Sequence, residues 1–389
     1  GLMVDAADDS RITANVSAAA LAAAVSGGTG VALSVGVSIA RNMIGTSLES
    51  VVSDSDLEVA GDITISARSE AVINARASAA SVAAALSAGT GIGISGAGAS
   101  AMNIIVSRSV SDIVRSGVVL AGNLAVESLA KGVIDARIIS ASLGAGAGAG
   151  VGVGASVGVS IARNYLGYNP YSGVPEDADF VYGIDQPARI TIGQTVYLPS
   201  GSGTRAGELY RYIGEEELTP EDKDDDDILD DLLQTQDYDD KDLWEQIVVE
   251  QDNLVAARIR STDIVAGVAN DASGGMVMVD ATNTQIIVSE VTSGSAAASV
   301  GGSVGAALSG AGGSSTNRIG TQTMALIDGV VDDLIDATGD VNISALDQSA
   351  IVTQVEALSV AAAFGGIAGA LAVGVARADS LIGSEVVAQ

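Results

Sequence analysis

The stretch Ile139 to Ile161 reads ISASLGAGAGAGVGVGASVGVSI, and it decides the fold. Its odd positions carry Ala, Leu, Val or Ile, and its even positions carry Gly or Ser. Strict alternation predicts β-strands, because successive side chains of a strand point to opposite faces. A helix interior would lose close to ~1 kcal/mol at each glycine relative to alanine. The stretch therefore predicts strands with one face of larger apolar residues and one of small residues.

Glycine turns divide such stretches elsewhere, at Ser26 to Gly30 and at Ser87 to Gly91. The pattern predicts strand, turn, strand, with arms of roughly ten to twelve residues and shorter strands around Ala60 to Asp62. Ser17 to Val25 reads SAAALAAAV, for which an alanine-rich helix is the alternative. Neither face of the arms is charged, so we expect stacked repeats or another chain to cover both faces. Small side chains would let two sheets approach closer than the usual ~10 Å.

A repeat of about 61 residues runs along the chain. GVSIARNMIG at Gly36 to Gly45 recurs as GVSIARNYLG at Gly158 to Gly167. The repeat anchors are spaced by 61, 61, 153 and 62 residues, and they are Asn42, Asn103, Asn164, Asn317 and Asp379. We expect each Arg-Asn pair to close a turn or to pair with a neighbouring Asp. Both ends fall within a repeat, so we expect a segment of a longer array, or a unit whose ends neighbouring chains cover.

The long spacing holds a surplus of 92 residues, which fits residues 169–260. This segment contains all five prolines, the only tryptophan and six of the eight tyrosines, and it carries −16 of the net charge of −30. The shift in composition predicts a module grafted into a repeat loop. Strands are expected near residues 189–198 and 207–214, and a helix is expected to begin at Thr219. The domains are thus residues 1–168 (repeats 1–3), 169–260 (the module) and 261–389 (repeats 4–5).

An acidic run in this module makes calcium a candidate cofactor, since hard cations prefer several carboxylates. The candidate ligands are Asp222, Asp224, Asp225, Asp226, Asp227, Asp230 and Asp231. The run lacks the Asp-x-Asp-x-Asp-Gly spacing of a calcium loop, and a solvated acidic surface is the alternative. A second acidic cluster, with the same two readings, consists of Asp237, Asp239, Asp240 and Asp242.

Aromatic side chains of the module are candidates for stacking on a glycan. They are Tyr210, Tyr212, Tyr238 and Trp244. The alternative is that they form the hydrophobic core of a small module, because aromatic rings dominate the cores of such units.

Composition excludes many functions. The chain has no His and no Cys, which excludes Ser-His-Asp triads, thiolate metal sites and disulfides. A net charge of −30 opposes binding to nucleic acid and to anionic membrane surfaces. Glycine interrupts every apolar stretch, so we expect no membrane insertion. No signal peptide is recognisable at Gly1. We expect no enzyme, and glycoside hydrolysis by a pair of carboxylates is a remote alternative.

Two motifs carry a resemblance to a known class of proteins. They are GVSIARN at Gly36 to Asn42 and SDLEVAGDITISA at Ser55 to Ala67. They resemble the β-strand-repeat regions of very large bacterial surface and secreted proteins of adhesin-like type. Segments 210–214 and 232–247 resemble a module that interrupts such repeats. The resemblance implies an extracellular or cell-surface location, export as a long polypeptide, and a structural or adhesive role.

These observations together predict an all-β protein: a β-solenoid or stacked-hairpin rod of ~61-residue repeats with one small inserted α+β module. The expected function is that of a structural segment of an extracellular filament or giant surface protein, which self-associates through strand stacking. The alternative is an adhesin whose module binds calcium, a glycan or another cell-surface partner.

Overall fold

The computed structural model describes residues 1–168, 178–199, 208–214, 216–220, 232–238, 240, 242–247, 253–267, 275–328 and 335–389. The predicted all-β solenoid is confirmed: successive coils stack through parallel strands. Sheet A contains the first long strand of each coil. Its strands are β1 (Leu2–Ser26), β4 (Ile63–Ser87), β7 (Leu124–Gly148), β15 (Val277–Gly301) and β18 (Val341–Phe364), in that order.

Sheet B contains the second long strand of each coil, and it is also parallel. Its strands are β2 (Thr29–Ser53), β5 (Thr90–Val114), β8 (Val151–Leu166), β13 (Leu254–Arg260), β16 (Val304–Asp328) and β19 (Ile367–Ala388). Two residues connect the long strands of a coil, for example Gly27 and Gly28 between β1 and β2. The two arms lie in different sheets and pack through their side chains, so they form an arch and not a hydrogen-bonded hairpin.

The arms are longer than the sequence predicts, since β1 and β2 each contain 25 residues. The prediction was too short because it followed the glycine alternation, which stops near the Asn anchors. Burial continues to alternate past Asn42, where larger residues occur: Met43 is exposed, Ile44 is buried and Gly45 is exposed. Ser17 to Val25, for which a helix was the alternative, lies within β1.

A small third sheet closes the first four coils. Its strands are β3 (Asp56–Val59), β6 (Gly117–Leu120), β14 (Asp263–Ala266) and β17 (Ile335–Ala337), which are parallel and neighbours in that order. This sheet C faces the start of sheet A and the end of sheet B. Large side chains fill the space where the three sheets meet, among them Ile65, Leu120 and Leu124.

Sheets A and B approach very closely near the arch turns, as the small side chains predict. A Cβ built on Gly93 would lie 2.0 Å from the carbonyl oxygen of Ala145, and one on Gly154 would lie 2.1 Å from that of Ala298. No side chain fits into such a gap. Glycine at these inward positions is therefore a condition of the packing between the sheets.

The surplus residues do not sit in one place, and they do not start in a loop. Pairing partners in adjacent coils differ by 61 residues up to Leu166, by 146 from Leu254 and by 153 from Val277. Since 146 exceeds 61 by 85, the insertion interrupts a strand of sheet B, and the remaining 7 residues lie between β14 and β15. The predicted boundary at Arg260 lies too late in the chain, because β13 pairs with β5 and β16 of the repeat sheet.

The inserted residues contribute a separate four-stranded sheet. Its strands are β9 (Phe180–Val181), β10 (Thr195–Leu198), β11 (Glu208–Tyr212) and β12 (Trp244–Ile247). The described residues contain no helix, and residues 221–231, into which the predicted helix would continue, lie outside them. The described residues accordingly include no helix that could cross a membrane.

Candidate functional site

An asparagine ladder runs through the interior of the solenoid at the predicted anchors. The amide nitrogen of Asn42 donates to Oδ1 of Asn103, Asn103 donates to Asn164, and Asn164 donates to Asn317, each at 2.8 Å. Asn103, Asn164 and Asn317 are fully buried. The anchors thus lie in mid-strand and face the core, and they do not close turns. Each rung satisfies a buried amide, which would otherwise cost about 1–3 kcal/mol.

The predicted last anchor, Asp379, lies one residue before the position that continues the ladder. Asn317 lies opposite Ser380 in the sheet, and its amide nitrogen reaches Ser380 Oγ at 3.4 Å. Asp379 pairs with Thr316 and accepts hydrogen bonds from Arg318 at 3.1 and 3.0 Å. Arg318 follows its asparagine, whereas the predicted Arg-Asn pairs are residues 41–42 and 163–164, whose pairing with an Asp stays a prediction. Arg41 and Arg163 lie exposed on the outer face of sheet B.

Serine hydroxyls form a second internal polar ladder closer to the arch turns, which zigzags between the two sheets. Ser309 donates to Ser295 at 2.9 Å, Ser295 donates to Ser156 at 2.9 Å, and Ser156 lies 2.6 Å from Ser142. Ser359 extends this ladder to β18 by donating to Ser309 at 2.8 Å. Because both sheets contribute hydroxyls, the ladder links neighbouring coils and opposite sheets at once.

The chain leaves sheet B for the insertion without disturbing its rows. Gly167 donates to the carbonyl of Ile105 at 2.8 Å and has a positive φ of 77°. A Cβ there would lie 1.8 Å from the carbonyl oxygen of Gly320, so the exit requires glycine. Asn253 fills the next row, where its Oδ1 accepts from the backbone nitrogen of Ser107 at 2.9 Å.

A charged cluster fixes the returning strand β13. The side chain of Asp112 is only 3% exposed. Its Oδ2 lies 3.1 Å from Nη2 of Arg258 and also contacts Nη2 of Arg260. Nε of Arg260 donates a hydrogen bond to Oδ1 of Asp112 at 3.2 Å. Burial lowers the pKa of Arg258, and the Asp112 carboxylate opposes this effect. Hydrogen bonds to Asp112 raise the pKa of Arg260. Two cations on one buried carboxylate thus join β13 to β5 where the chain re-enters sheet B.

The four aromatic candidates for glycan binding lie together inside the inserted sheet. Tyr210, Tyr212, Tyr238 and Trp244 are each at most 7% exposed. The ring of Tyr238 lies 4.8 Å from that of Trp244 and 5.2 Å from that of Tyr210. This placement favours the alternative reading, in which these rings are the core of the inserted unit. Their role in glycan binding stays a prediction.

The candidate calcium ligands at residues 222–231 lie outside the described residues. In the second acidic cluster, Asp239 also lies outside them, whereas Asp237, Asp240 and Asp242 are described. Asp240 accepts a hydrogen bond from the backbone nitrogen of Asp242 at 3.0 Å. Within the described ranges, no group of three or more acidic side chains is arranged to hold a metal ion.

Sequence reasoning missed the serine ladder and the Asp112 cluster. The serines carry a usable signal, because Ser95 and Ser156 recur at the 61-residue period. Asp112 and Arg260 are 148 residues apart, and nothing local connects them. The chain matches no family model, no curated protein and no solved structure.

Proposed function

We propose that the chain is a structural repeat segment of an extracellular bacterial filament or giant surface protein, and that it self-associates through β-strand stacking. One observation carries the proposal: each coil pairs with the coil before it through one row of strand in sheet A and one in sheet B, the latter divided into β8 and β13 in the third coil, so the array lengthens by strand pairing alone. An acidic, cysteine-free composition agrees with an extracellular setting.

The asparagine ladder supports growth by addition of coils. It has one direction, since every donor lies one coil before its acceptor. A coil added beside β2 would donate to the carbonyl oxygen of Asn42 and extend the ladder without any new kind of contact. A ladder of identical buried amides also fixes the register between coils, because a shift of one residue would move each amide to the outer face.

The edges at β1 and β2 offer backbone groups for such an addition. Each is a 25-residue parallel strand at the border of its sheet. Long uninterrupted edges of this kind are templates for further strand pairing. The next coil could come from the same polypeptide or from a second copy.

A lysine on the inner face of the edge strand tests the proposal. Ala14 of β1 faces the interior beside Ala75, while Thr13 faces outward. Ala14→Lys can point its ammonium group past the free edge, but a stacked coil would bury that charge. We expect concentration-dependent assemblies of wild type and of Thr13→Lys by light scattering and electron microscopy, and loss of end-to-end growth in Ala14→Lys. Compact particles of wild type at all concentrations, or equal behaviour of the two variants, would contradict stacking.

A second candidate function is that of an adhesin whose insertion binds calcium or a glycan. The observation in its favour is that sheet B closes around the insertion, with Gly167 and Asn253 in successive rows. Stacking therefore does not need the 85 inserted residues, which leaves them free for recognition. The test is titration of the whole chain with Ca²⁺ and a glycan panel, beside a variant in which a short loop replaces residues 168–252. Equal signals from both would remove this candidate.

A further inference from the structure

The outer face of sheet B is apolar and exposed near the arch turns. We call this surface the ridged face. It consists of the outward-facing residues of five neighbouring strand segments, which form five rows across the sheet. The segments are residues 31–39, 92–100, 153–161, 306–314 and 369–377. Val35, Val157 and Val375 are 61%, 53% and 60% exposed. The sequence predicted that both faces of the arms would be covered, yet this chain itself covers only the inner one.

Side-chain size alternates from strand to strand in three of the five rows of the ridged face, the three that lie farthest from the arch turns. One row reads Val35, Gly96, Val157, Gly310 and Val373, and the next reads Val37, Gly98, Val159, Gly312 and Val375. The third row repeats the alternation with Ile39, Ser100, Ile161, Ser314 and Arg377. In these three rows, ridges of valine and isoleucine run along every second strand, about 9.6 Å apart, and grooves of glycine and serine lie between them. The two rows nearest the arch turns do not alternate; one of them reads Leu33, Ile94, Ala155, Leu308 and Leu371.

The fold itself does not require these outward glycines. A Cβ on Gly96 or Gly98 would lie 3.9 Å from its nearest neighbour, which is ordinary contact, and one on Gly312 would meet nothing within 4 Å. The inward glycines differ, because a Cβ on Gly154 would lie 2.1 Å from a backbone oxygen. Glycine within a strand costs conformational entropy and often marks a close approach from another molecule. The grooves therefore need an explanation outside the chain.

We propose that the ridged face packs against the ridged face of a second copy, with the valine ridges of each copy seated in the glycine grooves of the other. A shift by one strand brings ridge against groove, and a two-fold axis lets the same patch serve both copies. Dry interdigitation of this kind gives tightly paired sheets in steric zippers. Within the five rows the only ionisable side chain is Arg377, at one corner.

The area is sufficient for a stable pair. After a shift by one strand, four strands of each copy overlap, and five rows about 6.6 Å apart on four strands about 4.8 Å apart cover ~630 Å² on each copy. Burying both faces removes ~1,300 Å² from water, which lies within the range of about 1,200–2,000 Å² for specific interfaces. The contact is lateral and uses no strand edge, so it goes beyond the stacking proposed above.

A second copy explains the grooves better than a lipid phase does. Fluid acyl chains would gain from additional apolar side chains, whereas glycine rows reduce the apolar surface. The arch end of sheet A provides an internal contrast: it is exposed and apolar too, but one of its rows is alanine on all five strands, at positions 23, 84, 145, 298 and 362. Alternation is thus a property of three rows of sheet B and not of exposed apolar rows in general.

Filling the grooves is the test. In an Ala14→Lys background, which removes end-to-end growth, Gly98→Val with Gly312→Val adds apolar side chains where the fold has room. The matched control is Gly45→Val, because Gly45 lies on the outer face of β2 beyond the ridged face and also has open space around it. Circular dichroism and thermal unfolding verify that all variants fold. Sedimentation velocity of the whole chain over a range of concentrations measures the dissociation constant of the dimer.

We expect dimers for the background and the control, and a dissociation constant at least tenfold higher for the filled variant. Monomers of the background at ~100 μM, or a filled variant that dimerises as tightly as the control, overturn the proposal. Phosphatidylcholine vesicles form the second arm: background protein that floats with vesicles without dimerising, and a filled variant that floats at least as well, would assign the face to lipid instead. Loss of association already in Ala14→Lys would overturn the lateral contact while supporting strand stacking.

Discussion

The two halves of each coil, on either side of the asparagine ladder, are held together in different ways. The arch half, between the ladder and the two-residue turn, has an inner face of Ala, Gly and Ser, with Ala83 and Ala85 buried in it. The base half, between the ladder and sheet C, is filled by Ile, Leu and Val. Two close layers need small residues, whereas the space between three sheets needs large ones. One pair of 25-residue strands thus contains two kinds of core.

This difference teaches that the halves should fail in opposite ways. The base half depends on apolar area, so removal of atoms leaves a cavity there. The arch half depends on close contact between backbones, so addition of atoms forces the sheets apart. Its stability comes from dispersion contacts and internal hydrogen bonds more than from bulky burial.

The largest effect is expected from truncation in the base half. Leu124 is fully buried where the three sheets meet. Leu124→Ala should lower the free energy of unfolding by about 3–4 kcal/mol, measured by denaturant unfolding. Leu143→Ala is the matched control, because Leu143 lies on the outer face of the same strand and is 40% exposed. Equal losses in the two variants would show that the base half is not the apolar core.

The second effect comes from enlargement in the arch half. Gly154→Ala places a Cβ 2.1 Å from the carbonyl oxygen of Ala298 and 2.9 Å from that of Gly144. Since backbone must move, we expect a loss of about 2–3 kcal/mol by the same measurement. Gly312→Ala, where the new methyl meets open space, should be neutral or slightly stabilising in the monomer. A tolerated Gly154→Ala would mean that the sheets can separate at little cost.

The ladder marks the boundary between the halves, and breaking it should cost less than either core change. Asn103 accepts from Asn42 and donates to Asn164. Asn103→Ala leaves Asn164 without its donor and Asn42 without its acceptor, so we expect a loss of about 2 kcal/mol. Asn42→Ala removes only one rung, at the part-buried end of the ladder, and should cost less than half as much. Hydrogen exchange of the neighbouring amides would show the loss confined to the ladder rows; equal effects of the two variants would contradict a ladder of independent rungs.

Sequence alone predicts the arch half better than the base half. Alternation of Gly and Ala identifies the strands around Ile139 to Ile161, and the anchors at Asn42, Asn103, Asn164 and Asn317 give the coil length. Past the ladder, both faces of the strands contain mixed residue types, so the sequence-based prediction omits about half of each arm. The pattern shows which residues alternate, but it does not show how far a strand continues once both faces contain large residues.

Composition predicts the insertion, and this explains why the segment is found but its C-terminal boundary is placed too late. Prolines and aromatic residues identify the segment, but Leu254 to Arg260 follows it without any change that marks a return to the array. Its place in sheet B depends on partners at Arg108 to Val114, far away in the chain. Likewise, burial of Tyr212 and Trp244 depends on pairing between β11 and β12, which their residue types do not reveal.

The smallest effect belongs to an exposed ion pair at the outer corner of the base half. Arg115 donates from Nε and Nη2 to the two carboxylate oxygens of Asp54, each at 2.7 Å. This hydrogen bonding lowers the pKa of Asp54. A carboxyl group whose folded pKa lies below its unfolded value of about 3.9 stabilises the fold above that pH, and the contribution disappears as the pH falls through the folded pKa.

Because both side chains are about 60% exposed, solvent screens the pair, and Arg115→Gln should leave the midpoint of thermal unfolding at pH 7 almost unchanged. The pKa itself is the sensitive measurement: an NMR titration of the Asp54 carboxyl should move upward toward the ordinary value in Arg115→Gln. Lys131→Gln, which removes a separate pair with Glu70, is the matched control and should leave Asp54 unaffected. An unchanged Asp54 titration in Arg115→Gln would mean that Arg115 does not perturb the Asp54 carboxyl. The stability of the base half would then come from apolar packing, without a contribution from this ion pair.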